Sequence, residues 1–295
     1  MTDTISASGP VVPGGPARRR RGVFALPRFL LRRSPFSVLL VAVFVFLAIF
    51  GPLLAPHSMT DTNLSAALQS PNGTYWLGTD QLGRDVLSRL LGSVRVAAQA
   101  FLIVVLVGGV LGTSLGLLSG GLGGAFDLAI SRLVEILQGF PTILVAIVIV
   151  ALLDPSLTNA MLAVGLAAVP DFARVSRSVA IQLRDREFVL AARGLGASEL
   201  RILVAEVLPN MAGPLIVIAS FDGAQAIMWE AALSFLGMGV QPPSPSFGTM
   251  LREAQNYLAI QPWLAVITGI TVSAVILGLN LFGDALGDYY NRGSE

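Results

Sequence analysis

The chain has 295 residues, 54% of them hydrophobic and 13% charged, with mean hydropathy +0.75 and a formal net charge of +1. Soluble domains carry about 25% charged residues, so this composition excludes an ordinary water-soluble protein and predicts an integral membrane protein. No Cys and a single His, His57, exclude a disulfide framework, a Cys nucleophile, a thiolate metal site and a multi-His metal site; the balanced charge predicts no nucleic-acid partner.

In chain order, residues 1–33 read as a polar tail whose first 17 residues, rich in Gly, Pro, Ser and Ala, are expected to be disordered. Charge is then absent from 34–60, 96–126 and 254–283, runs of 27, 31 and 30 residues. A helix crossing the hydrocarbon needs about 20 apolar residues. Six helices are therefore predicted near 36–55, 97–119, 128–153, 158–178, 211–240 and 263–284, giving an all-α polytopic membrane protein. The segments are continuously apolar, which excludes a β-barrel. The first run is too long for a signal-peptide core and lacks a small-residue cleavage pattern, so it reads as a retained helix. Before the second helix, Val86, Leu87, Leu90, Leu91 and Val94 oppose Arg84, Asp85, Arg89 and Arg95, predicting an amphipathic stretch at the outer membrane surface. Gly108, Gly112 and Gly116, spaced by four, predict a close helix–helix contact, with an interface between two chains as one possibility.

All 19 basic residues are Arg, and they orient the chain. Seven (Arg18, Arg19, Arg20, Arg21, Arg28, Arg32, Arg33) precede the first helix, six (Arg174, Arg177, Arg184, Arg186, Arg193, Arg201) cluster at the end of the fourth, and Arg292 follows the sixth. With Arg84, Arg89, Arg95 and Arg252 on the other side, the bias of 14 to 4 predicts that both termini are cytoplasmic. The outer face then carries loops 56–96 and 241–262, and the inner face a Gly120–Gly124 turn and a long polar segment at about 179–210.

Charges inside apolar spans are costly unless paired or wetted. Arg132 and Glu135, at i and i+3, predict an ion pair. Asp222, about 11 residues into the fifth helix, falls near the bilayer midplane. It faces either a solute pathway or an Arg of a partner chain. Glu230 reads as structural near the outer end, and Asp171, Arg174 and Arg177 as the kinked base of the fourth helix. Asp222, Glu230 and Glu135 are the candidate substrate-path residues.

The inner segment parses as two short helices. Phe188, Ala191, Ala192 and Leu195 share one face, with Gly194 and Gly196 ending the first helix. Ser198 suits an N-cap, Leu200, Leu203, Val204, Val207 and Leu208 form a second stripe, and Pro209 marks its end. Pattern alone fits two readings: a helix lying on the membrane surface, or a docking helix whose small Ala residues admit another protein.

This segment resembles the EAA loop of bacterial ATP-binding-cassette import permeases through Ala191, Ala192, Gly196, Leu208 and Pro209; Leu190 stands where that family usually has Glu. The stretches Tyr75–Arg95 and Glu230–Leu251, with Arg32–Pro35, resemble dipeptide/oligopeptide permeases of the C type, and the likeness spans about 32–290. Val169 departs from the Trp often found there. The resemblance implies a type I (MetI-like) importer fold: an extra N-terminal helix and extracytoplasmic segment (34–95), a five-helix core (96–290), and a tail (291–295). It implies a multi-pass protein of the bacterial plasma membrane that catalyses no covalent step and holds no cofactor. A second, B-type permease, two ATPase subunits carrying ATP and Mg, and an extracytoplasmic peptide-binding protein would complete the assembly. Arg186, Glu187, Ala191, Ala192, Arg193, Gly196, Ser198 and Pro209 would meet the ATPase. The outer loop 241–247 and the segment 252–262 fit either contact with the binding protein or ordinary loop packing. Two alternatives stay open: a permease of the same family for nickel chelates or another small solute, and a stand-alone channel or ion-coupled carrier.

Overall fold

The computed structural model describes residues 29–31 and 33–291; the expectations for 1–28, Arg32 and 292–295 lie outside the described residues. The helices are α1 (Pro35–Leu54), α2 (Val86–Leu122), α3 (Gly124–Gln138), α4 (Thr142–Leu153), α5 (Leu157–Arg184), α6 (Glu187–Gly194), α7 (Glu199–Ile202), α8 (Leu208–Asn210), α9 (Ala212–Phe235), α10 (Phe247–Gln255) and α11 (Trp263–Asn291). A π-turn, Leu203–Val207, joins α7 to α8. Among the described residues, α1, α2, α9 and α11 are long and apolar enough to cross a bilayer, and α3 with α4 is so only as a pair, bent by 85° at the break between them.

Three boundaries differ from those expected. The second helix starts at Val86, two residues inside the presumed surface stretch and 11 residues before 97, because Asp85 caps it by accepting the Ser88 N–H at 2.9 Å. The expected single helix 128–153 is broken at Gly139–Phe140–Pro141. Pro141 has no N–H to continue the ladder, and it drives the residue before it out of helical geometry. Helix α5 runs through Pro170 to Arg184, about 42 Å for its 28 residues, and the Asp171, Arg174 and Arg177 in its inner half make it less apolar than the other spans. Helix α10, in the outer loop, was not expected. Ser246 and Thr249 close a reciprocal capping box at its start.

The centre of the bundle is the seam between α2 and α5. A Cβ on Gly108 would stand 3.0 Å from Ala168 Cβ, one on Gly112 would stand 2.6 Å from Phe172 Cβ and collide with the Val169 carbonyl, and one on Gly116 would stand 2.7 Å from Ser176 Cβ. Gly120 continues the row, 2.9 Å from Ala180 Cβ. The glycine stripe thus seats a helix of the same chain, which corrects its possible use between two chains; the close approach maximises backbone-to-backbone dispersion where lipid offers no hydrophobic drive. Helix α1 rests on α2 and α11 through Gly51 and Gly278 and leaves Phe36, Leu39, Phe46 and Ile49 exposed, as a lipid-facing helix should.

Candidate functional site

At the end of the bundle expected to face the cytoplasm, α6 leaves the end of α5 after one bend at Asp185–Arg186. It ends in a Schellman motif: the Ala197 N–H donates to Ala192 O at 3.1 Å and the Gly196 N–H to Arg193 O at 3.0 Å, with Gly196 at φ +83°. Only glycine takes that backbone conformation without steric cost. Arg193 then clasps Glu199 with two hydrogen bonds, at 2.6 and 2.9 Å, locking α6 to α7. The bond from Arg193 holds the Glu199 carboxyl below its ordinary range, and the guanidinium is raised in return. Ser198 occupies the N-cap position, but its side chain makes no capping bond.

Two expectations about this hairpin are corrected. The helix does not stop at Pro209. The ladder widens to a π-turn in which the Leu208 N–H donates to Leu203 O, and the Asn210 side-chain amide donates to Glu206 O at 2.7 Å. The chain therefore passes through Pro209, and α9 begins only two residues beyond Asn210. The buried stripe is Ile202, Leu203, Val207 and Met211, packed with Val189 on Leu117 and Ala180, while Val204 is exposed. Opposite that root lies an exposed face carrying Arg186, Glu187, Ala191 and Arg193, with Leu190, Leu195 and Leu200 exposed by 50%, 89% and 64%. Ala192 is half-buried against the root, behind this face. The hairpin is thus rigidly anchored on one side and apolar on the free side.

Within the bundle, polar groups gather where α3 breaks. Asp127 accepts both Arg177 nitrogens, at 2.6 and 2.7 Å, and also the Ser119 hydroxyl. Arg132 and Glu135 pair at 2.7 Å on the exposed side of α3. Gln138, the last residue of α3, donates to Asp171 at 3.4 Å and accepts from Arg174, so one amide spans two opposite charges of α5. Glu135 and Arg174 line a cavity of about 190 Å³ between α2, α3 and α5. Asp171 and Asp222 line a second, of about 40 Å³, with Thr142, Gln225 and Trp229. Glu230 joins neither: it has no exposed surface, and its Oε1 accepts the Ser234 hydroxyl at 2.6 Å while that hydroxyl accepts the Val240 N–H at 2.9 Å, tying down the turn after α9. Gln138 had no signal in the sequence, being uncharged and three residues before a proline.

At the opposite end of the bundle the expected amphipathic stretch is corrected. Arg84 and Arg89 are buried, 3% and 1% exposed. Arg84 pairs with Asp80 at 2.7 Å and with Glu253 at 2.8 Å; Arg89 meets the same Glu253 oxygen at 3.1 Å and the carbonyl of Met59 at 3.3 Å. The network pins the 56–85 segment and the start of α2 onto α10. The two guanidiniums are buried because, beside the local Asp80, Glu253 reaches them from α10, 164 and 169 residues away, which periodicity does not encode.

Residues 112–294 match the family described as binding-protein-dependent transport system inner membrane component, and residues 34–71 match the N-terminal TM domain of oligopeptide transport permease C. The chain belongs to the binding-protein-dependent transport family. It is 41% identical over 252 residues to the dipeptide transport system permease protein DppC of Alkalihalophilus pseudofirmus, covering 85% of this chain and 83% of that one. It is 38% identical over 263 residues to DppC of Haemophilus influenzae, covering 87% and 89%. Among solved structures, the MetNI methionine ABC transporter in an inward-facing conformation superposes with a TM-score of 0.53 at 16% identity, over 67% of this chain and 96% of its counterpart, which shows a shared MetI-like fold. As a member of this transport family the chain is a multi-span membrane subunit of a transporter, not an enzyme. The family match opens at Gly112, halfway down the glycine seam, and takes in the whole inner hairpin.

Proposed function

We propose that this chain is one permease subunit of an ATP-driven importer of di- and oligopeptides, sitting in the bacterial plasma membrane with both termini inside. It forms half of the translocation pathway beside a second homologous permease. Two ATPase subunits, which hold ATP and Mg, bind below, and an extracytoplasmic peptide-binding protein delivers the solute. Residues 34–95 form an added outer segment and 96–290 the transport core, with α2 running through the boundary. The names of the relatives support the peptide substrate. The observation that carries the coupling is the inner hairpin, rooted by Val189, Ile202 and Val207 and bare at Leu190, Leu195 and Leu200.

The mechanism follows from that anchoring. ATP-driven closure of the ATPase dimer displaces the segment 184–201. The Arg193–Glu199 clasp and the Schellman turn make the segment move as one body. It is continuous with α5 and nearly so with α9, so these helices tilt with it and the pathway opens outward; hydrolysis reverses the motion. Because the chain lacks cysteine, Leu195→Cys supplies a unique crosslinking site. In a co-purified complex it should crosslink to an ATP-hydrolysing subunit, and proteoliposomes of the complex should take up a dipeptide only with ATP inside the ATPase compartment. Labelling of Leu195→Cys from outside intact cells, or crosslinks that never reach an ATPase, would overturn the assignment.

A further inference from the structure

The two cavities beside the broken span are separate in shape but joined by one side chain. Gln138 stands between them, its amide N–H on Asp171 and its carbonyl oxygen holding Arg174. The bond to Asp171, at 3.4 Å, is long and readily exchanged.

The charges on either side are unequal. In the smaller cavity two carboxylates, Asp171 and Asp222, line the wall with Thr142, Gln225 and Trp229, and among the described residues no cation lines it. Asp222 Oδ2 is shielded from solvent and has no hydrogen-bond partner. A shielded acceptor of this kind is costly unless a donor arrives. In the larger cavity Arg177 is taken by Asp127 and Glu135 is taken by Arg132. Arg174 is left with an amide and, among the described residues, no carboxylate within ion-pair distance. Polar groups at this depth in a membrane bundle face water or a partner, and Asp171, Arg174 and Gln225 are exposed in the single chain.

We infer that the paired cavities form a two-point site for a zwitterionic dipeptide, with Asp171 and Asp222 receiving its ammonium group and Arg174 its carboxylate. The spacing fits. Asp171 and Arg174 are one turn apart on α5, about 4.5 Å of rise, and both reach the Gln138 amide, while Asp222 extends the carboxylate end into the smaller cavity. The ends of an extended dipeptide lie roughly 7 Å apart. The smaller cavity, about 40 Å³, holds a few waters or an ammonium head, and the 190 Å³ space beside Arg174 holds the bulkier end. The peptide displaces Gln138 from Asp171 as it arrives. This deepens the importer reading and rests on it.

The test uses the assembled complex in proteoliposomes. Asp171→Asn with Asp222→Asn, and separately Arg174→Gln, should each lower dipeptide uptake at least tenfold while ATPase stimulation by the loaded binding protein persists; Arg174→Lys should recover part of the uptake. Uptake within twofold of wild type in either variant would overturn the site. In a second arm, Gln225→Cys is introduced into the cysteine-free chain. A cationic methanethiosulfonate should label it at least tenfold faster than an anionic one, dipeptide should protect it, and the Asp171→Asn/Asp222→Asn background should abolish the preference. Equal rates, no protection, or a preference that survives loss of both carboxylates would refute the inference. The labelling arm decides the matter if the double variant assembles poorly. A wild-type complex without ATP-dependent uptake would instead refute the importer reading, with the labelling result still standing for this site.

Discussion

Removing one carboxylate from the outer network tests how far buried charge holds the two outer segments together. In Glu253→Ala, Arg84 and Arg89 lose the oxygen they share at 2.8 and 3.1 Å. Asp80 remains, 2.7 Å from Arg84 and 3.4 Å from Arg89, so a single carboxylate then faces two guanidiniums that are 3% and 1% exposed. Breaking a buried pair costs about 3–5 kcal/mol because a desolvated charge is left behind. Glu253 is itself 22% exposed, so water reaches the vacated position and the lower end of that range, about 3 kcal/mol, applies. For a chain of this size that is a fall of roughly 5–10 °C in the unfolding midpoint. The control is Arg132→Ala, which breaks a pair with both side chains more than half exposed and should cost about 0.5 kcal/mol or less. The assay is thermal unfolding of the detergent-solubilised chain, with the Glu253→Ala/Arg84→Leu pair added to measure coupling. Equal midpoints for Glu253→Ala and Arg132→Ala, or additive effects in the double variant, would refute the idea that the network bears load.

Other outcomes follow from the same geometry. Gly112→Val should prevent correct assembly, since its Cβ meets the Val169 carbonyl and Phe172, whereas Gly269→Ala, with nothing within 4 Å, should be neutral in expression and thermal midpoint. Gly196→Asp should abolish ATP-driven uptake while the chain stays inserted, because a side chain at φ +83° costs about 1–2 kcal/mol and reshapes the hairpin turn; unchanged uptake would contradict the docking role. Leu195→Asp should weaken capture of the ATPase subunits at least tenfold in pull-down titrations without moving the midpoint of the isolated chain, since the side chain is 89% exposed. Ser234→Ala should destabilise the turn after α9 by about 1–3 kcal/mol, by stranding both Glu230 Oε1 and the Val240 N–H, read as faster hydrogen exchange at Val240.

The apolar architecture was legible because lipid imposes a simple rule: charge-free runs such as 34–60 and 254–283 can only be buried or lipid-facing helices, and α1 and α11 lie where those runs placed them. The break at Gly139–Phe140–Pro141 carried a local signal, the proline, yet its surroundings were apolar enough to hide it among ordinary membrane residues. The polar sites were harder for a physical reason. Arg89 at i and Leu90 at i+1 are both buried, because Glu253 approaches from the distant helix α10 and neutralises the face that periodicity would assign to water. The Gln138 bridge likewise depends on a helix bend that brings α3 onto α5. In the inner hairpin, Gly196 and the small Ala pair were readable, since glycine at a left-handed turn is a local requirement, but the stripe beyond it rotated because the π-turn inserts an extra residue into the ladder.

Stiffness in this chain is not evenly spread, and its distribution bears on how motion could pass through it. The glycine row of α2 meshes with α5 from Gly108 to Gly120 so closely that the two helices cannot slide without backbone collision. The hairpin is rooted on both, through Leu117 and Ala180. A push on the hairpin therefore moves α2 and α5 as one block, and α9 follows through Met211. Helix α4 is built into that block, with Ala146 and Val150 buried against Val104, Ala160 and Val164, whereas α3 meets it through contacts such as Asp127–Arg177 and the Gln138 bridge, and three residues without helical continuity separate α3 from α4. Relative motion therefore concentrates at the break between α3 and α4, which has Gln138 of the larger cavity on one side and Thr142 of the smaller on the other. On the proposed function, the same displacement that ATP drives at the inner face would separate Gln138 from α5 and change the distance between Asp171 and the wall opposite, so that solute affinity and helix position become two readings of one coordinate.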